Sequence, residues 1–129
     1  MASGFDKYYG RRSSAELLGR QLARRARNRC ETCRDSTSLF IVEVEPVYRE
    51  PDVERAVMIC DRCKRAVENA RRRVDPEELR FLMEAVWHET LPIQLTSVRL
   101  CQRLSSEGVL WASELLDGLY LDPETEALL

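Results

Sequence analysis

Four of the five cysteines in this chain fall into two identical pairs, Cys30-x₂-Cys33 and Cys60-x₂-Cys63, with 26 residues between the pairs. Two residues between thiols allow a tight knuckle that points both sulfurs at one ion, and two knuckles complete the tetrahedron that Zn²⁺ accepts at about 2.3 Å. The intervening segment has the pattern of a hairpin. Leu39-Phe40-Ile41-Val42-Glu43-Val44 is β-branched and aromatic and stops at Pro46, and Ala56-Val57-Met58-Ile59 follows the polar loop Tyr48 to Glu54. From Asp61 the pattern turns helical, with Ala66, Val67 and Ala70 at helix spacing and Arg71-Arg72-Arg73 at the end.

The order knuckle, hairpin, knuckle, helix is that of a treble clef. A lone hairpin buries too little apolar surface to be stable, so the metal is expected to supply on the order of 10 kcal/mol of folding free energy. Four thiolates around one Zn²⁺ leave a formal negative charge, which Arg29, Arg34, Arg62 and Lys64 beside the ligands can screen. An iron site of rubredoxin type and a dithiol redox pair rank well below structural zinc, since four thiolates leave no open coordination position and disfavour catalysis at the metal. Arg34 and Lys64 stand where a knuckle usually carries glycine, and a left-handed backbone there costs about 1 kcal/mol.

Around this centre the chain is helical. Ser13 or Ser14 can cap a helix from Ala15 to about Asn28, with Ala15, Leu18, Leu22 and Ala26 on one face and Arg20, Arg24 and Arg27 on the other. Asp75-Pro76-Glu77-Glu78 is a helix start, and Leu79, Leu82, Met83, Val86 and Trp87 form one stripe behind it. Thr90 and Pro92 open a helix to about Ser105 that is apolar on two sides, Leu91, Leu95 and Val98 on one and Ile93, Leu100 and Leu104 on the other, hence central. Gly108 ends it. Trp111, Leu115 and Leu119, with Ala112, Leu116 and Tyr120, give the inward face of another helix, and Asp122-Pro123-Glu124 starts a last short turn. The expected architecture is α-rich α+β: a four-cysteine zinc treble clef packed on a small C-terminal helical bundle. A flexible arm occupies 1–12 and a single zinc-stabilised domain 13–129, divided into basic helix plus zinc module (13–74) and bundle (75–129).

An apolar share of 44% and a charged share of 33% are those of a chain that folds. The longest apolar run, Ala56 to Cys60, is far short of the roughly twenty residues a membrane span needs, and no signal-peptide block is present. A cytoplasmic, reducing compartment is expected, where cysteine pairs bind metal. Net charge is −2 but graded: nine Lys/Arg against three Asp/Glu over 1–34, and three against eleven over 74–129. Arg20, Arg24, Arg25, Arg27 and Arg29 form a candidate anion or nucleic-acid site beside the first knuckle, although the two charged ends could equally attract each other. Cys101 reads as an inert buried thiol, His88 as an exposed or capping residue, and Trp87, Trp111 and Tyr120 as core. There is no glycine-rich phosphate loop and no catalytic constellation.

RNRCETC, LFIVEVEP and AVMICDRC resemble the N-terminal zinc-binding module of the PhnA-like family. LRFLMEAVWHETLPIQLTSVRLCQRL, with Trp87, Pro92, Gln94 and Arg99, and WASELLDGLYLDPET, with Trp111, Leu115, Leu116, Asp117, Leu119, Tyr120 and Leu121, resemble the segments that follow in that family, so that the resemblance covers about residues 20–129. It implies a cytoplasmic bacterial zinc protein without a securely assigned role, and the family's second, β-rich domain is expected to be lacking. Residues 24–65 also resemble the zinc site of HNH nucleases, but Val42, Glu43, Val44, Glu45 and Lys64 stand where the catalytic histidines would be. The expected function is a structural-zinc-binding, non-enzymatic adaptor with a protein partner or self-association. Nucleic-acid binding is the first alternative, a phosphonate-related or degenerate HNH-type enzyme the second, and no small-molecule substrate is inferred.

Overall fold

The computed structural model describes residues 16–68 and 74–129. Its elements are α1 (residues 16–26), a two-stranded sheet of β1 (Leu39–Glu43) and β2 (Ala56–Cys60), α2 (Asp61–Glu68), α3 (Leu82–Ala85), α4 (Leu91–Ser106), α5 (Leu110–Asp117) and α6 (Pro123–Glu126). The arm 1–12, the first cap at Ser13 or Ser14, and the triple arginine 71–73 lie outside the described residues.

The hairpin is antiparallel, with Leu39 opposite Cys60, Ile41 opposite Met58 and Glu43 opposite Ala56. Consecutive side chains of a strand point to opposite faces, and here both faces of β2 are covered. Ala56 and Met58 meet Leu18 and Leu22 of α1. Val57 and Ile59 pack with Ile93 and Leu95 of α4. The sheet therefore separates α1 from α4. Gly19 lets α1 approach closely, since a Cβ there would stand 3.3 Å from Ile41 Cδ1.

α4 is the centre of the molecule. Pro92, Ile93, Leu95, Thr96, Ser97, Val98, Leu100, Cys101 and Leu104 are all buried along it, as its two-sided apolar pattern requires. Its first half packs on the hairpin, and its second half, with Val98, Leu100, Cys101 and Leu104, joins Ala66, Leu79, Leu82, Val86 and Ala112 in a second core. None of the described helices is long and apolar enough to cross a membrane.

The segment after Asp75 departs from the continuous helix its pattern predicts. Asp75 does cap, accepting from Glu77 N–H at 3.0 Å, but Pro76–Leu79 is a 3₁₀ turn and α3 is only four residues long. A 3₁₀ turn closes three residues per turn rather than 3.6, so the buried set becomes Leu79, Leu82, Ala85 and Val86. Met83 and Trp87 rotate outward and are 46% and 49% exposed. Tyr120 is also a correction: α5 ends at Asp117, before the stripe reaches it, and its side chain is 88% exposed.

Two helices end in the same way with different residues. After α4, Val109 N–H donates to the Leu104 carbonyl and Gly108 N–H to Ser105, with Gly108 at φ +88°. After α1, Asn28 N–H donates to Ala23 and Arg27 N–H to Arg24, with Arg27 at φ +56° and Asn28 at +58°. Both are Schellman terminations, whose left-handed position glycine fills without strain; an arginine there costs about 1 kcal/mol.

Candidate metal centre

The first knuckle begins where α1 stops. Arg34 N–H donates to the Cys30 carbonyl at 2.9 Å and Cys30 N–H to the Asp35 carbonyl at 2.8 Å, which folds the loop back so that Cys30 and Cys33 share one side. Arg34 takes the left-handed conformation, φ +69°, that glycine usually supplies, and its guanidinium reaches the Ala26 carbonyl at the end of α1. Lys64 needs no such conformation because it lies within α2. Cys60 closes β2 and Cys63 sits in the first turn of α2, so hairpin register and helix start together fix the second pair.

All four Sγ atoms lie within 4.8 Å of one another. Cys30 and Cys63 are 3.8 Å apart, Cys33 and Cys60 3.7 Å. A tetrahedral ion with metal–sulfur bonds of about 2.3 Å requires sulfur–sulfur edges of about 3.8 Å. Both the donor set and its spacing fit a divalent, thiophilic metal. Cys30, Cys60 and Cys63 are buried and Cys33 partly so, and none of the four is in a disulfide.

The electrostatics point the same way. The neighbouring Cys33 and Cys63 thiols hold Cys30 well below the ordinary thiol range, while the contact with Cys30 pushes both Cys33 and Cys63 up. Among these three thiols each thiolate formed suppresses the next, and a cation between the sulfurs relieves that repulsion. Burial alone would lower the Arg62 pKa, but the Cys33, Cys63 and Cys60 sulfurs outweigh it and hold this guanidinium charged over the Phe81 ring, 5.8 Å from its centroid. Arg62 is thus the screening cation. Lys64 instead pairs with Glu68 and stacks over Phe40, and Arg29 reaches the Arg34 carbonyl.

Two residues inside the first knuckle contribute in ways the cysteine spacing does not disclose. Thr32 is buried, its Oγ1 3.2 Å from Cys30 Sγ and 3.3 Å from Cys63 Sγ, so one hydroxyl touches a ligand from each pair. Glu31 is buried as well. Its carboxylate accepts Arg25 Nε at 2.6 Å and Nη2 at 2.9 Å, and also Met58 N–H at 3.0 Å, while its own N–H donates to the Met58 carbonyl. Arg25 further donates to the Val53 and Ala56 carbonyls. The signal in the sequence is two polar residues in the short gap of a knuckle.

The arginines of the basic face thus divide. Arg25 points inward and ties α1 to the hairpin, whereas Arg20, Arg24, Arg27 and Arg29 are exposed. Cys101 is fully buried, donating to the Ala112 carbonyl, and burial pushes its thiol up to about 11. His88 is exposed, its Nδ1 accepting Thr90 N–H just before α4, and it forms no hydrogen bond with Cys101. Compared with family models, with curated proteins and with solved structures, the chain matches none.

Proposed function

We propose that the chain is a structural-zinc-binding, non-enzymatic binding module of treble-clef type, in which one Zn²⁺ held by Cys30, Cys33, Cys60 and Cys63 fixes α1, the hairpin and α2 to one another. The observation that carries this reading is the cluster of four sulfurs, all within 4.8 Å of one another and with two separations of 3.7 and 3.8 Å, in a largely buried site. Four thiolates saturate the ion, so its role is cohesion and not substrate activation. The one histidine serves as a backbone acceptor and the fifth cysteine is a core residue, which supports a non-catalytic role. The PhnA-like resemblance is part of the same proposal, resting on the segments already quoted.

Metal analysis with thiol titration tests it. One equivalent of zinc and four thiols released with the metal are expected, and Cys33→Ser should lower the zinc content. Purified protein that neither carries nor takes up zinc overturns the metal reading. Turnover of any substrate that is abolished by His88→Ala or Cys101→Ala overturns the non-enzymatic one.

A further inference from the structure

Nearly every cation among the described residues has a partner. Arg25 pairs with Glu31, Arg65 with Asp61, Arg80 with Glu77, Arg103 with Glu107 and Lys64 with Glu68. Arg34 and Arg99 donate to backbone carbonyls, Arg29 does so weakly, Arg55 lies over Tyr48 and Arg62 over Phe81. Arg49 also has a partner. Arg20, Arg24 and Arg27 have no hydrogen-bond, ion-pair or ring partner among the described residues, and all three are exposed on one side of α1 and its terminal turn.

Three further observations make this face more than a solvated helix side. Its backbone is held rigidly by the Arg25–Glu31 pair, by Arg34 on the Ala26 carbonyl and by the knuckle that follows. Arg27 occupies the left-handed position of a Schellman termination that the same chain fills with glycine after α4. An arginine at a strained backbone position points to a use for its side chain. Finally, among the described residues no carboxylate of the acidic 74–129 segment forms an ion pair with these arginines.

We infer that Arg20, Arg24 and Arg27, flanked by Arg29, form a phosphate-backbone contact surface for duplex nucleic acid. Arg20 and Arg24 are one helical turn apart, about 6 Å along the axis, so successive guanidiniums can engage successive phosphates of one strand. The contacts are to the backbone, so binding is sequence-independent. The unpaired arginines lie on α1 and its terminal turn, and the surface rests on the zinc reading only for the knuckle that helps to hold this backbone in place.

Fluorescence anisotropy of a labelled 20-bp DNA duplex against the full chain, over a salt series, tests it. Three phosphate contacts give a slope of log K against log salt of about −3, and the Arg20→Gln/Arg24→Gln/Arg27→Gln variant should bring it near zero. Arg65→Gln, which removes a single positive charge from a paired site, should leave it unchanged. Arg27→Gly should melt no lower than the parent and yet weaken the slope by about 0.9. Zinc content measured on every variant keeps a failed metal reading distinct from a failed surface. An equal slope in parent and triple variant overturns the proposal. So does an arginine-dependent attraction directed instead to phosphatidylserine vesicles or to a second copy of the chain, with no DNA bound.

Discussion

Thr32 shows how much a single hydroxyl can matter at a thiolate centre. Its Oγ1 lies within 3.3 Å of both Cys30 and Cys63, and its one proton, donated to Cys63, lowers the cost of charge on that sulfur. Partners of metal ligands typically carry ten-fold or more of affinity. Thr32→Val keeps the shape and removes the hydroxyl, and zinc affinity measured by chelator competition should fall by about ten-fold or more. Cys101 gives a pH prediction of definite sign. Its folded thiol titrates at about 11 against 9.0 for a free one, so between those values the unfolded chain has lost a proton that the folded chain keeps. Its contribution is complete below pH 9 and is lost as pH rises, by up to about 3 kcal/mol. Denaturant melts should show the stability advantage of the parent over Cys101→Ala shrinking from pH 9 to 11.

At the scale of elements, α1 and the hairpin are joined by a charged clasp. Glu31→Ala would leave the Arg25 guanidinium without its carboxylate and Met58 N–H without an acceptor. A loss of about 3 kcal/mol is expected at saturating zinc. A double-mutant cycle with Arg25→Ala should give less than the sum of the single losses. Helix ends offer a cleaner case. Nothing lies within 4 Å of a Cβ built on Gly108, so Gly108→Ala tests the backbone alone and should cost about 1 kcal/mol by thermal melting. The strands and α4 were legible because a β-branched run and a two-sided apolar helix have few other solutions. The 3₁₀ start after Asp75 was not, since Leu79, Leu82 and Val86 satisfy either period, and only Met83 and Trp87 distinguish them once packed. The four cysteines that cluster could be read from spacing alone. Glu31 and Thr32 could not, because Glu31 meets Arg25 of α1 and Met58 of β2, and Thr32 meets Cys63 of α2, only once the knuckle has folded between them.

Among the described residues, two of the three hydrophobic clusters share one long element. Ile93 and Leu95 belong to the core around the cysteines, and Val98, Leu100 and Leu104 to the core under α5, all within one sixteen-residue helix. A helix cannot melt in its first half without losing nucleation and packing for the rest, so loss of metal at one end should propagate to the other. Trp111 packs against the second core and reports on that end, while the exposed Trp87 can be replaced by Phe to remove its signal. In that Trp87→Phe protein, Trp111 fluorescence and zinc release, followed with a chromogenic indicator during denaturation, should share one midpoint, and prior chelation should lower the Trp111 midpoint. A Trp111 signal that survives chelation would mean that the bundle folds on its own and that the metal supports only the hairpin half. The first outcome is expected because the second core draws Ala66 from α2, the helix that carries Cys63, so the bundle is incomplete wherever that helix is not held.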